Sequence, residues 1–324
     1  MSTIFDDRST RAERMTGWER YAIELFQRLA PNGVIGVGSY ATTLRKRLAS
    51  DWYDLPRAAS TCAQAIHFPT FPPTPAVKAR TIFYTLHDLT WWLYPSTSSR
   101  LGRLYYRPLA ERAISRCRLI VDSETVADQA AAHFDIPRQT ITVVYPGVSL
   151  PIEVEPYRPE RPYILAVATR EPRKNLSRLY AAFSSSTRLR GYDLLLVGRR
   201  AWKVDEALPA NVHVLTGLSD QRLASLYRGA SLIVAPSLYE GFGLPVAEAL
   251  YLGTPVACSD IPVFREVAGD HATYFNPNDA EAIRQAIEKI VHSDNSVTAE
   301  GRTWARQYSW EAAATSLLNL YGSV

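Results

Sequence analysis

From Tyr163 onward the chain alternates short apolar runs with segments of helical period, and that alternation restricts the fold more than any other feature. YILAVAT (163–169), DLLLVG (193–198), VHVLTG (212–217), SLIVAP (231–236) and PVACSD (255–260) are each bounded by Gly, Pro, Asn or Asp and are rich in leucine and β-branched residues. Strands that are apolar at nearly every position are buried on both faces, a condition met by parallel sheets with helices on both sides. Residues 175–185, 220–229, 245–252 and 261–268 have helical period and supply those helices. The second half is therefore expected to be a Rossmann-like α/β domain.

The first half is less regular. VIGVG (34–38), TIFYTL (81–86), RLIVDS (118–123) and TITVVY (140–145) again read as short strands, separated by helical segments such as 18–30 and 103–116. At roughly 100 to 200 residues per domain, a chain of 324 residues accommodates two α/β domains. Between them PIEVEPYRPERP (151–162) carries four prolines in 12 residues and can continue neither a helix nor a central strand. The linker is placed there. The expected organisation is a first domain over 1–152, a second over 160–306, and a C-terminal helix, 307–324, packing back toward the first. Two such domains would face each other across a cleft lined by the carboxyl ends of strands, where ligands of open α/β sheets bind.

With 47% apolar and 21% charged residues, disordered, collagenous and disulfide-stapled classes are excluded. Cys62, Cys117 and Cys258 form no C-x-x-C pair and read as reduced, buried thiols. No apolar run approaches the ~18 to 20 residues needed to span a bilayer. The N-terminal MSTIFDDRSTRAER is polar and doubly acidic rather than signal-like, and a cytoplasmic protein is expected. The net charge of +4 is uneven: residues 1–150 hold 18 Lys/Arg against 13 Asp/Glu, giving +5, and residues 151–324 hold 18 against 19, giving −1.

The chemistry concentrates in APSLYEGFGLPVAEALYLGTPVACSD (235–260). A strand runs into a loop holding Gly241 and Gly243, and Pro245 then suits the first helical position. The N–H groups of Phe242, Gly243 and Leu244 would carry the partial positive charge of a helix N-terminus, a site for an anion and most naturally for a diphosphate. Glu240 precedes this turn and Glu248 falls about one turn into the helix. A carboxylate accepts two hydrogen bonds in a geometry that suits vicinal diols, so the E-x7-E pair fits a sugar at one end and a ribose at the other. Taken singly, Glu248 could as well complement the helix dipole and Glu240 be a loop charge.

With EGFGLP between the two acids and GTPV after them, the segment resembles the donor-site signature of retaining family-4 glycosyltransferases, which have the GT-B fold of two Rossmann-like domains. The resemblance continues at TGWERYAIEL (16–25), HDLTWWLYP (87–95), TREPRKNL (169–176) and YSWEAAA (308–314), and so covers nearly the whole chain. It implies that Arg173 and Lys174 bind the donor diphosphate, a role suited to a bidentate guanidinium and a point-charge ammonium. Many relatives carry an arginine directly after a glycine here. This chain has Ala168-Thr169-Arg170 instead, so the cationic role is assigned to Arg173 and Lys174. By the same resemblance Glu248 holds the ribose, Glu240 lies beside the transferred sugar, and 242–244 contact sugar and diphosphate. Gly17 lets the backbone approach the donor diphosphate, with an ordinary turn glycine as the alternative. His87 matches the active-site histidine on the acceptor side; Asp88 beside it would also serve as a cap, and His67 reads as structural or cleft-lining. No Asp-x-Asp occurs, so no metal and no cofactor are expected, the nucleotide-sugar being a substrate.

The acceptor falls to the first domain. Arg100, Arg103 and Arg107 recur at helical spacing, Arg112, Arg116 and Arg118 follow, Trp91, Trp92, Tyr94, Tyr105 and Tyr106 lie nearby, and LRKRL (44–48) is a second basic cluster. Such a set is either a solvated helix face or a surface for the headgroups of an anionic membrane. The latter would place the protein at the inner face of the cell membrane, with a polyprenyl-linked acceptor. Nucleic acid is not expected, since a pI near 8.9 comes with no recognised binding motif. The reading is a hexosyltransferase of cell-surface polysaccharide synthesis with GDP-mannose favoured, UDP- and dTDP-hexoses open, and the base held around Thr216 to Ser219. Its alternatives are a non-catalytic sugar-nucleotide-binding protein and a sugar-nucleotide epimerase on the same fold. The G-V-G at 36–38 lacks the third glycine of a dinucleotide oxidoreductase.

Overall fold

The computed structural model describes residues 3–11, 17–38, 43–62, 64–97, 99–199, 208–293 and 299–323. Two compact units result, Met1–Gly147 with Tyr308–Val324, and Val148–Gln307. In the first, β1 (Thr3–Asp6), α1 (Gly17–Leu29) and β2 (Ile35–Val37) are followed by α2 (Leu44–Ala49) and α3 (Leu55–Cys62), joined through a π-helical turn at Ser50–Asp54. Then come β3 (Ala65–Phe68), β4 (Thr81–Leu86), α4 (Thr90–Leu93), and a second π-helical turn, Gly102–Tyr106, running into α5 (Arg107–Ile114). β5 (Arg118–Val121), α6 (Glu124–Phe134) and β6 (Ile141–Val143) complete the sheet, whose order is β2-β1-β3-β4-β5-β6 with parallel pairings.

Two of these strands escape the sequence reading. The segment read as a polar N-terminus contains β1, four buried residues in the strand next to edge strand β2, and β3 has the run AIHF. Both are short, and both carry a polar side chain that is satisfied inside the protein: Arg8 Nη2 donates to Asp6 Oδ2 at 2.7 Å, and His67 Nε2 lies 2.8 Å from Thr85 Oγ1. Helix α1 presents Tyr21, Ala22, Leu25 and Leu29 to the core, the spacing of one helical face.

The second unit holds β7 (Tyr163–Val167), α7 (Leu176–Ser185), β8 (Asp193–Val197), β9 (Val212–Leu215), α8 (Asp220–Gly229), β10 (Leu232–Ala235), α9 (Leu244–Leu252), β11 (Val256–Ser259), α10 (Pro262–Ala268), β12 (Thr273–Phe275), α11 (Ala280–Val291) and α12 (Ala299–Ala305). Its sheet order is β12-β11-β10-β7-β8-β9, again parallel. The apolar runs read from the sequence are its five inner and flanking strands, and three-residue β12 is the one missed. Residues 148–162 form no helix or strand and lie along α8: Tyr157 N donates to Ser225 O at 2.9 Å, and Arg222 stacks 4.1 Å over the Tyr157 ring. Of the cysteines, Cys258 is buried, Cys117 is only half-buried, both are free, and the Cys62 side chain lies outside the described residues.

Helix α13 (Trp310–Gly322) belongs to the first unit. Ser309 caps it, accepting from Ala312 N at 3.1 Å, and Trp310, Leu317 and Tyr321 are buried against α1 and the sheet. Gly147 is required by proximity, since a Cβ there would stand 2.1 Å from Trp310 N. Trp310 is fully buried, and its Nε1 has no hydrogen-bond partner among the described residues. Trp310→Ala should therefore destabilise the protein by about 3–5 kcal/mol, while Trp310→Phe, which also removes the unpaired N–H, should change it by less than ~1.5 kcal/mol. Urea unfolding of the two variants checks this, and equal losses would show that ring packing is not what seats α13.

Candidate functional site

In an open parallel sheet, connections leave in opposite directions at one point, and the carboxyl ends of the two strands there bound a crevice. In the second unit these strands are β7 and β10. The loop after β7 carries Arg173 and Lys174 in a 3-10 turn that ends at Asn175, which has the left-handed φ of 57°. Asn175 Nδ2 donates to Pro236 O at 3.0 Å and Pro277 O at 2.7 Å, tying together the loops after β7, β10 and β12. Leu238 N donates to Arg173 O at 2.8 Å. The crossed bonds fix the loop of the two cations against the loop of Glu240.

Both Glu240 oxygens are used. Oε1 accepts from Lys174 Nζ at 2.5 Å and from Ser237 Oγ at 2.7 Å, and Oε2 accepts from Arg173 Nη1 at 3.0 Å. Arg173 also donates to Tyr239 O at 3.0 Å and pairs with Glu171 at 3.0 Å. The side chains are 12–14% exposed, so the pairs are little screened. Burial pushes Glu240 up, but Lys174 and Arg173 outweigh it and hold the carboxyl at about 2. Burial, with Arg173 nearby, lowers Lys174 from its ordinary value despite Glu240. Glu240 is thus a fixed negative charge and no proton donor. Arg170, in the loop after β7, has no ion pair with this cluster among the described residues.

Helix α9 starts directly after this loop. Gly243 stands at its entry with φ 95°, and a Cβ there would come within 2.5 Å of the Phe264 ring, so the position requires glycine twice over. Phe242 is buried, Leu244 opens the helix, and Pro245 is its second residue rather than its first. Val246 N donates to Gly243 O at 2.9 Å and Pro245 has no N–H, so the partial positive charge of the helix N-terminus that attracts anions gathers at the entry of α9. Glu248, one turn in, is 6% exposed, and its Oε2 accepts from Tyr227 OH of α8 at 2.8 Å. The sequence reading missed Tyr227, Ser237, Glu171 and Asn175. Ser237, three residues before Glu240, was visible as a nearby hydroxyl; Tyr227 meets Glu248 only through the packing of α8 on α9. Residues 216–219 follow β9 at the same sheet edge, and Ser219 caps α8 by accepting from Arg222 N.

The remaining candidates are in the first unit. Gly17 is the exposed first residue of α1, and residues 12–16 before it lie outside the described residues. His87 follows β4, with Nδ1 2.6 Å from Asp122 Oδ2 and Nε2 2.8 Å from Pro69 O. Trp18 stacks on its ring at 5.8 Å and Tyr21 meets it edge-on at 4.8 Å. Asp122 was not singled out from the sequence. Asp88 accepts from Thr90 N at 2.8 Å, the capping alternative. His67 is fully buried, its Nδ1 lies 2.5 Å from Tyr321 OH, and burial pulls it down to about 3; it is a core residue.

Of the aromatic residues noted beside the basic clusters, Trp91 and Trp92 are half-buried: Trp91 stacks on buried Tyr106 at 6.2 Å, and Trp92 packs edge-on against Phe134 at 4.9 Å and donates to Glu111 at 2.8 Å. Leu93 of α4 is exposed, as are Trp52, Tyr53 and Leu104 beside the basic clusters. The two π-helical turns that carry the last three are joined, since Trp52 Nε1 donates to Tyr105 OH at 3.1 Å and Tyr105 OH donates to Asp51 Oδ2 at 3.0 Å. Among the described residues no three His, Cys, Asp or Glu side chains gather as a metal site would need, and no helix is long and apolar enough to cross a membrane.

Lowering a carboxyl from 4.5 to about 2 contributes about 3 kcal/mol of stability at neutral pH. A depressed folded-state pKa stabilises above the unfolded value, so this contribution is complete above about pH 4.5 and disappears as pH falls from there through about 2. Thermal midpoints of the wild type should drop across that window, whereas Glu240→Gln should begin lower at neutral pH and drop less. Parallel curves for the two proteins would mean that Glu240 does not carry the acid sensitivity.

Two family models match the chain: Glycosyltransferase Family 4 over residues 20–150 and Glycosyl transferases group 1 over residues 152–304. Over 267 residues it is 31% identical to O-antigen chain mannosyltransferase B of Escherichia coli, covering 73% of this chain and 69% of that protein. Over 235 residues it is 32% identical to O-antigen chain mannosyltransferase RfbU of Salmonella typhimurium, covering 69% of this chain and 64% of the relative's own length. Among solved structures, HepE of Anabaena in complex with UDP-glucose matches with a TM-score of 0.76 over 100% of both chains at 16% identity. Sucrose-phosphate synthase of Thermosynechococcus elongatus gives 0.75 over 99% of this chain and 98% of the other at 19% identity. At such identities the likeness is one of fold.

Proposed function

The chain belongs to the family-4 glycosyltransferases of GT-B fold, and on that premise we propose that it is a retaining hexosyltransferase that works without a metal ion. The proposed donor is GDP-mannose: the mannose is supported by the two relatives named above, both O-antigen chain mannosyltransferases, and the guanine nucleotide is this reading's own choice. The proposed acceptor is a carbohydrate, free or lipid-linked, in cell-surface polysaccharide synthesis. One observation carries the reading: Glu240 is held ionised between Lys174 and Arg173 on the loop that ends in the N-terminus of α9.

In this reading Lys174, Arg173 and the first turn of α9 receive the diphosphate as negative charge gathers on it. Glu240 stabilises the positive charge that develops on the sugar ring and forms no bond to it. The acceptor hydroxyl attacks the anomeric carbon on the face the diphosphate leaves. The new C–O bond forms as the old one breaks, and the hydroxyl proton departs on a diphosphate oxygen. Glu248 orders the ribose, exchanging its bond to Tyr227 for one to a ribose hydroxyl or sharing it.

A thermal-shift series with GDP, UDP, dTDP and ADP tests the donor. GDP should stand out, stabilising the protein by about 2.7 kcal/mol at a hundredfold excess over its Kd, with EDTA making no difference. Lys174→Ala and Glu240→Ala should lower kcat by about a hundredfold or more, and Glu248→Ala should chiefly weaken nucleotide binding. Full transfer activity in all three variants would contradict the assignment, and dependence on a divalent ion would contradict its metal-free form.

A lipid-linked acceptor is supported by the exposed set on the first unit. Trp52, Tyr53 and Leu104 stand at 42%, 74% and 79% exposure, flanked by Arg45, Lys46, Arg57, Arg100 and Arg103, all exposed. Apolar tips within a basic rim suit an anionic bilayer, each cation contributing about 1 kcal/mol near its surface. The protein should co-sediment with phosphatidylglycerol vesicles at low salt and release at high salt, and Tyr53→Ser with Leu104→Ser should weaken that binding about tenfold or more. Equal binding to phosphatidylcholine vesicles, or none to either, would remove this part of the reading.

A further inference from the structure

His87 and Asp122 each follow a strand, β4 and β5, whose register pairs Leu86 with Val121, so the next residues stand side by side at the carboxyl edge of the sheet. Both are more than nine-tenths buried. His87 Nε2 lies 2.8 Å from Pro69 O, and a carbonyl only accepts, so Nε2 carries a hydrogen. A neutral ring in that tautomer would turn a bare Nδ1 lone pair toward the carboxylate. At the observed 2.6 Å a proton must lie between Nδ1 and Asp122 Oδ2. Asp122 Oδ1 has no hydrogen-bond partner among the described residues, so the ring is the carboxylate's one recorded hydrogen-bonding partner.

We propose that Asp122 is a positioning residue: it keeps His87 doubly protonated through the neutral pH range, so that the ring offers a fixed positive charge and no proton acceptor. The step rests on the reading that His87 takes part in sugar transfer. Its surroundings agree. Burial by itself would lower His87, but the charge and hydrogen bond of Asp122 outweigh it and leave the imidazole raised; burial raises Asp122 as well, against the pull of His87, so the nitrogen spectrum described below is what assigns the shared proton to the ring. Of the other titratable groups facing the ring, Tyr21 of α1 is raised by burial and stays neutral. His67 of β3, lowered to about 3, stays neutral too. Asp88 of the same loop adds a further negative charge. Trp18 stacked on the ring and Tyr21 at its edge hold its plane. With both nitrogens donating, His87 cannot accept the acceptor's proton, in keeping with the departure of that proton on the diphosphate.

Asp122→Asn isolates the charge, because an asparagine can donate to Nδ1 of a neutral ring or accept from a charged one. In the wild type, long-range 1H–15N spectra should show both His87 nitrogens protonated and kcat should be flat between about pH 6 and pH 8. In Asp122→Asn the ring should lose its proton across that range, and kcat should fall at least about tenfold at the alkaline end and recover at the acid end. A merely structural role predicts a loss that does not vary with pH. A neutral His87 ring in the wild type overturns the proposal, as does an Asp122→Asn profile parallel to the wild type. Failure of the transferase reading looks different: a wild type that turns over no sugar nucleotide while its ring spectrum still shows two protonated nitrogens.

Discussion

Every strand pairing in both sheets is parallel, and this constraint governs where chemistry can occur. A parallel strand cannot return through a tight hairpin, so each is followed by a crossover, and in each sheet the loops that open those crossovers collect at that sheet's carboxyl edge. His87 follows β4, Asp122 follows β5, Arg173 and Lys174 follow β7, residues 216–219 follow β9 and Glu240 follows β10. The sheets supply rigidity and the loops supply side chains. The loop after β7 is held where it enters α7, by Asn175 with its left-handed backbone and by the Leu238 to Arg173 bond, so the cations stay in place.

The two units solve one electrostatic problem with opposite signs. In the second, a carboxylate is kept ionised by two cations; in the first, the charge and hydrogen bond of one carboxylate raise an imidazole against its burial. Removing either partner from such a pair leaves an uncompensated charge in a poorly solvated place, which costs more than the pair contributes. Glu240, held at about 2, is not poised near neutrality as an acid or base would be.

The inner strands of the second unit were legible because burial on both faces writes a continuous apolar run. Strands β1 and β3 were not, because Asp6 and His67 interrupt two short apolar runs with polar side chains whose partners, Arg8, Tyr321 and Thr85, come into view only in the fold. Within the candidate site, EGFGLP showed a loop turning into a helix, and Glu240 and Glu248 fell on either side of that turn as their spacing required. Tyr227, Asp122 and Asn175 could not be read, since each acquires its partner through helix packing, strand register or the meeting of three loops. For the same reason the basic clusters at 44–48 and 100–107 looked unrelated until the Trp52–Tyr105–Asp51 bonds joined their two π-helical turns.

Those bonds continue inward. Asp51 Oδ1 accepts from Arg8 Nη1 at 2.5 Å, Arg8 also donates to Asp6 at the end of β1, and Thr74 Oγ1 donates to Asp51 O at 2.8 Å. Arg8 is 6% exposed and shared between two carboxylates, so it is not free to swing out. The exposed Trp52 is thus connected through Tyr105, Asp51 and Arg8 to the carboxyl end of β1, the strand beside which the first sheet reverses its winding. A surface built on a long solvated loop would yield when pressed against a partner. This one is braced against the sheet by bidentate and charge-assisted bonds, so whatever Trp52, Tyr53 and Leu104 contact is held at a fixed position relative to the crevice between β1 and β3.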